Sequence, residues 1–256
     1  MSPNTRQRVA RALLLCGASL FVGCTSGAPS PKDPAPETGE PGRDSGQDDT
    51  GQAKGDTGTL EVGTISGDCD VLAPELSNSE SVLFSNSIDF GKVFDENLLG
   101  DGAQEVLAAG NLGGSSLYSE AVSFEVLDRC EDATLLKTEA EIDYQDSGGK
   151  KTDLLVTIED VAFGVSVTRA YHYPPEDGME VEDAYTLLED KLDDVLLSAA
   201  NVAATDAWTR SILHVIAWDD VHAEAVTAAY DLLAPETTDE TVVFVTVTHG
   251  DDEALY

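Results

Sequence analysis

Residues 134–170 read TLLKTEAEIDYQDSGGKKTDLLVTIEDVAFGVSVTRA, and the punctuation inside this stretch sets the fold. Residues 134–145 form one strand candidate, rich in apolar and β-branched side chains, and Ser147-Gly148-Gly149 supplies a turn. Residues 151–158 form a second strand, the pair Glu159-Asp160 turns the chain again, and residues 161–170 form a third. Short runs of Val, Ile, Thr and Phe separated by such turns read as an antiparallel meander.

Helical spacing lies on both sides of the meander. Asn111-Leu-Gly-Gly-Ser-Ser116 is a loop that leads into a helix running to about Cys130, with Ser as its cap. The loop lacks the Lys-Ser/Thr ending of a phosphate-binding loop and follows no clear strand. After Pro174-Pro175, residues 181–199 place Ala184, Leu188, Leu192, Val195 and Ala199 on one stripe, the mark of an amphipathic helix. Residues 211–218 read as a buried strand, 222–233 as a helix and 241–248 as a β-branched strand. Residues 88–109, punctuated by Gly91, Gly100 and Gly102, read as helix and turns. The predicted fold class is α/β: a mixed β-sheet flanked by helices, in the order helix, three-strand meander, helix, strand, helix, strand.

The amino-terminal end carries an address. Arg6, Arg8 and Arg11 precede an almost wholly apolar run over residues 12–22, then Gly23 and Cys24. Such a run is too short for a membrane-spanning helix and reads as a secretory signal peptide. With Phe21-Val-Gly-Cys24 at its end it resembles a bacterial lipoprotein signal, with Phe21 where leucine is usual. The resemblance implies cleavage after residue 23, lipid on Cys24 and a cell-envelope location. Thr25 rather than Asp after the cysteine resembles an outer-membrane address. A plain signal peptide cut nearby is the alternative. Residues 25–58 contain no Val, Ile, Leu, Met or aromatic residue. With nothing to bury, residues 24–59 read as a Pro/Gly/Asp-rich disordered tether, and residues 60–256 as one acidic globular domain. The tether's Asp44-Ser-Gly46, Asp49-Thr-Gly51 and Asp56-Thr-Gly58 lack the hydrophobic strands an aspartic-protease loop needs, and belong to the linker.

The chain has 49 acidic and 14 basic side chains. Removing residues 1–23 takes three arginines and no acid, leaving a net charge of −38. That surface repels nucleic-acid phosphates and anionic lipid faces, so nucleic acid is a disfavoured partner. The predicted membrane association runs through the lipid alone; no protein partner is named by the sequence. Cys16 leaves with the signal, so Cys69 and Cys130 remain. In an oxidising compartment they can form a disulfide, or stay a loose thiol and a small buried hydrophobe.

Two carboxylates stand where a solvated surface does not explain them. Glu120 shares a helix face with Leu117, Phe124 and Leu127. Such a group pairs, binds a metal or escapes at the helix end, where the dipole favours it. Asp153 stands in the middle strand candidate, on a face with Lys151, Leu155 and Thr157, where a cation, Lys150 or Lys151, or simple exposure on an edge strand would compensate it. Lys191 sits at the edge of the 181–199 stripe and either leans over the sheet or snorkels to water. His214 reads as a core residue; His222 and His249 open a helix and end a strand. No nucleophile-elbow or Cys/His zinc spacing occurs.

The element order, with Gly114 to Glu120, Lys151-Thr-Asp153-Leu-Leu-Val156 and Phe163-Gly-Val-Ser-Val-Thr-Arg169, resembles the restriction-endonuclease-like, or PD-(D/E)XK, superfamily over roughly residues 110–248. The resemblance implies a magnesium site at Glu120 and Asp153. At the family's Glu-x-Lys positions this chain has Ser166 and Thr168, which supply neither the second strand carboxylate nor the water-orienting lysine. Lys191 is the candidate substitute, while Arg169 is expected on the opposite strand face. The implied function is an exported, membrane-anchored lipoprotein whose endonuclease-like domain has an eroded site and acts by binding or scaffolding. The enzymatic alternative is a Mg-dependent phosphodiesterase or nuclease using Glu120, Asp153 and Lys191. An unrelated α/β surface module is the third reading.

Overall fold

A computed structural model describes residues 62–75, 80–112, 115–238 and 241–256. The chain divides into two units, Met1–Gly55 and Asp56–Tyr256, and every described residue belongs to the second. The expected signal peptide, Cys24 and the tether over 24–59 lie outside the described residues. Among those described, no helix is long and apolar enough to cross a membrane.

In chain order the elements are β1 (Thr64–Gly67), α1 (Leu72–Glu75), β2 (Val82–Val93), α2 (Asp101–Ala109), α3 (Leu117–Glu131), β3 (Thr134–Thr138), β4 (Leu154–Ile158), β5 (Val161–Ala170), α4 (Val181–Asn201), β6 (Arg210–Ala217), α5 (Asp220–Tyr230), α6 (Pro235–Thr238) and β7 (Val242–Asp251). They build an α/β fold around one mixed seven-stranded sheet, in the order β1-β2-β7-β6-β5-β4-β3. The four central strands run parallel, and β1, β4 and β3 are antiparallel to their neighbours.

Alternation along the central strands assigns the two cores. Ile212, Val242 and Phe244 pack with Ala121, Phe124 and Leu127 of α3 on one face. Their neighbours Leu213, Val243 and Val245 pack with Leu188 and Leu192 of α4 and Val226 of α5 on the other. Period-two alternation with apolar residues at both parities is what a parallel sheet covered on both faces requires.

The meander is shorter than the sequence suggests. β3 stops at Thr138 because the Glu141 carboxylate accepts both the Thr138 backbone N–H (3.0 Å) and its hydroxyl (3.0 Å). The Asp143 N–H then goes to Asp206 at 2.7 Å, and Tyr144 forms only an isolated bridge to Val202. The Glu159-Asp160 turn closes β4 on β5, with Ile158 opposite Val161. Both turn residues have positive φ, 51° and 64°, the pattern of the tight hairpin turn matched to strand twist.

The expectation of helix and turns over 88–109 is corrected. Val82–Val93 is a strand paired with β7, and only Asp101–Ala109 of that stretch is α-helical. Ser85, Ser87 and Asp89 dilute the hydrophobic alternation, while pairing with a buried parallel neighbour holds the strand. A disulfide links Cys69 to Cys130, their Cα atoms 4.6 Å apart.

One polar line crosses the core on the α3 face. Ser123 Oγ lies 2.8 Å from His214 Nδ1, and His214 Nε2 lies 2.7 Å from Thr246 Oγ1. Thr246 donates to Asn86 Oδ1 at 2.7 Å. Since the threonine proton is committed there, Nε2 carries the imidazole proton and Ser123 donates to Nδ1. All four residues are buried. Burial holds the His214 pKa down to about 3, so the ring is neutral.

Candidate functional site

The site arises where β4 stops. β4 begins at Leu154, opposite Val165, so β5 beyond Val165 has no β4 partner along that edge. Asp153 fills the first vacant position. Its N–H donates to the Val165 carbonyl (3.0 Å), and its carboxylate Oδ2 accepts the Val167 N–H at 2.6 Å. A side chain thus replaces the carbonyl that a continuing strand would have offered. The mid-strand placement expected of Asp153 is therefore corrected: it stands just ahead of the strand, and its carboxylate reaches the neighbouring backbone. The preceding Thr152 donates its N–H to the Tyr144 hydroxyl (2.8 Å), and its own hydroxyl lies 3.1 Å from Ser166 Oγ.

The interrupted edge opens a cavity of about 370 Å³. Ser115, Ser116 and Ser119 line it from the start of α3; Lys151 and Asp153 from the approach to β4; residues 166–169 from β5; and Lys191 and Asp194 from α4. Asp153, Lys191, Ser166 and Thr168 therefore meet in one place. Arg169 also lines this cavity, contrary to the expectation that it would point away from it. The missing β4 edge lets both strand faces reach the space. The Arg169 guanidinium is anchored by the Leu255 and Tyr256 carbonyls (3.2 and 2.9 Å) and by Ser115 Oγ (3.1 Å).

Glu120 is buried beside the cavity without lining it. Its Oε1 accepts the Ser116 hydroxyl at 2.6 Å, the local satisfaction open to a first-turn glutamate. Burial raises its pKa; the Ser116 hydrogen bond opposes that, and the negative charge of Glu139 adds to it. Asp153 is pushed up to about 7, first by burial and then by the charge on Glu120, with Glu139 adding and the Val167 N–H and Lys191 opposing. Glu139 is thus a third acid acting on the site. Sequence reading passed over it because it falls in a stretch that looks like strand and is a turn.

A lipidated Cys24 lies outside the described residues, and the Cys69–Cys130 bridge joins other parts of the fold. For the implied magnesium ion the donor set does not fit. Among the described residues no three His, Cys, Asp or Glu come together in a group able to hold a metal ion. Glu120 is engaged with Ser116, one Asp153 oxygen with Val167, and the third position is the Ser166 hydroxyl. Hard divalent cations take several carboxylate or carbonyl oxygens at short range.

Electrostatically the cavity departs from the rest of the molecule. Asp194 is neutralised by Lys150, 2.7 Å away. Lys191 has no ion pair among the described residues, and Lys151 rests with Nζ 5.7 Å from the Tyr144 ring centre.

No protein-family model matches the chain. No solved structure matches it. Over 154 residues it is 36% identical to the AAC-rich mRNA clone AAC4 protein of Dictyostelium discoideum, a match covering 58% of this chain and 22% of that protein. The chain thus spans about a fifth of that relative's length.

Proposed function

We propose that this chain is an exported lipoprotein, anchored in the bacterial cell envelope through Cys24, whose domain has a restriction-endonuclease-like architecture and a site that binds rather than cleaves. The order helix, three strands, helix, strand, helix, strand supports the architecture, as does Asp153 at the head of the second meander strand. One observation carries the loss of cleavage. Next to Asp153 the strand presents Ser166 and Thr168, where metal-assisted hydrolysis needs a carboxylate and a cation. Glu120, the remaining carboxylate, is held by Ser116.

Calorimetric titration of the wild type and of Asp153→Ala with Mg²⁺ and Mn²⁺, followed by a nuclease assay, tests this reading. The expected result is no Asp153-dependent metal binding and no cleavage. Lys191 sharing a cavity with Asp153 favours the rival, a Mg-dependent phosphodiesterase with a relocated lysine. Cleavage lost in both Asp153→Ala and Lys191→Ala would establish it. Cys24→Ala is expected to release the protein from membranes, and retention would overturn the anchor.

A further inference from the structure

The cavity gathers cations on a chain that has few. Of the eight Lys and Arg among the described residues, Lys151, Arg169 and Lys191 line it. Arg129, Lys137 and Arg210 are engaged elsewhere in the fold, and Lys150 pairs with Asp194 of the cavity wall. Arg169 is held by carbonyls and Ser115, which fixes its charge at the wall. The two lysines make no ion pair among the described residues.

Hydroxyls face the same space. Thr168 is 9% exposed and lines the cavity, and its hydroxyl has no hydrogen-bond partner among the described residues. A hydroxyl that lines a cavity without a protein partner is left to water or to whatever enters the cavity. Ser115, Ser116 and Ser119 bring in the first turn of the fifteen-residue helix α3, whose free N–H groups favour negative charge. Against these stand Asp194, already paired with Lys150, Asp153, with one oxygen bound by Val167, and the neighbouring carboxylates of Glu120 and Glu139.

We propose that this cavity is a metal-independent binding site for a single small oxyanion, a phosphate group, held by Lys191 and Lys151, by the Thr168 hydroxyl of β5 and by the amino terminus of α3. The proposal rests on the reading of the site as one that binds without cleaving, and gives it a ligand class. A volume of about 370 Å³ admits a phosphate or a small phosphomonoester. The chain's net charge of −35 opposes a polyanion running across the surface. Asp153 remains in the cavity as a repulsive neighbour of the anion, the reverse of its part in a metal site.

The test is calorimetry on the full chain in chelator at fixed ionic strength, with inorganic phosphate, glycerol phosphate and a short single-stranded oligonucleotide as separate probes. Saturable binding of phosphate or glycerol phosphate is expected, and the tighter of the two identifies free anion or monoester as the source. Lys191→Gln should weaken binding about tenfold, the loss of one charge-assisted hydrogen bond. Thr168→Val should weaken it several-fold, and Asp153→Asn should tighten it. Absence of saturation overturns the proposal, as does an unchanged Lys191→Gln, a loss of binding in Asp153→Asn, or an oligonucleotide that binds more tightly than the small anions. Mg²⁺-dependent cleavage would defeat the underlying reading of the site. No phosphate binding together with no cleavage defeats only the ligand assigned to it.

Discussion

Two polar regions of this domain are built by opposite rules. In the line Ser123–His214–Thr246–Asn86 each side chain meets the next at 2.7–2.8 Å. Around Asp153 the polar groups come from four segments, and the Thr168 hydroxyl and the Lys191 ammonium have no hydrogen-bond or ion-pair partner among the described residues. The first region is closed, and its cost of desolvation is met inside the protein. The second is open, and its groups wait on solvent or ligand. Burial alone therefore does not mark a site; incomplete satisfaction does.

Acid separates the two most strongly. With the His214 pKa held to about 3, the unfolded chain takes up a proton first as pH drops below the ordinary value of 6.5. Stability contributed by the neutral ring is full above 6.5 and is lost progressively toward pH 3, by at most about 5 kcal/mol. Urea unfolding from pH 7 to pH 3 measures this, and His214→Leu should abolish that share of the slope. A wild-type slope surviving the substitution would break the contrast.

Asp153 has the opposite sign. Its pKa is raised to about 7, so the folded state keeps a proton that the unfolded state releases. Its effect is to lower stability as pH rises from about 4 to about 7, by up to about 4 kcal/mol. Asp153→Asn should therefore stabilise the domain at pH 8 and leave it nearly unchanged at pH 4, as thermal melts at the two pH values will register. Equal melting shifts at both would mean that the carboxylate is not strained by its surroundings.

Smaller effects refine the comparison. Ser123→Ala leaves His214 Nδ1 without its donor and should cost about 1–2 kcal/mol. Thr168→Val removes a hydroxyl that has no protein partner and should cost less than about 0.5 kcal/mol. Denaturant midpoints of the two variants, measured side by side, give the difference between closed and open directly. As a control remote from both regions, Glu159→Asn with Asp160→Gly suits the positive φ values of the hairpin. It should stabilise by about 1 kcal/mol.

The β4–β5 hairpin, α4 and the two strands that follow were legible in the sequence because local period and turn chemistry agree with the tertiary outcome. Asp153 and Glu120 could be singled out as carboxylates in apolar patterns. What could not be read was β2, whose polar Ser85, Ser87 and Asp89 hide a strand held by β7. Nor could the early end of β3 at Thr138, opposite the late start of β4 at Leu154, since it depends on Glu141 capturing Thr138 and Asp206 drawing the chain aside. The cavity follows from that interruption, so neither the place of Arg169 in its wall nor the influence of Glu139 on Asp153 has a local signal in the sequence. A gap in a ladder is a non-local event with no period to announce it.

The Cys69–Cys130 bond has a mechanical consequence. A pull on the amino-terminal side of the domain peels β1 and then meets a covalent stop fastened to α3, where Arg129 also grips the Val62 and Gly63 carbonyls. The intervening loop, 61 residues in sequence separation, stays out of the load path. It withholds about 210 Å of extension until the bond is reduced.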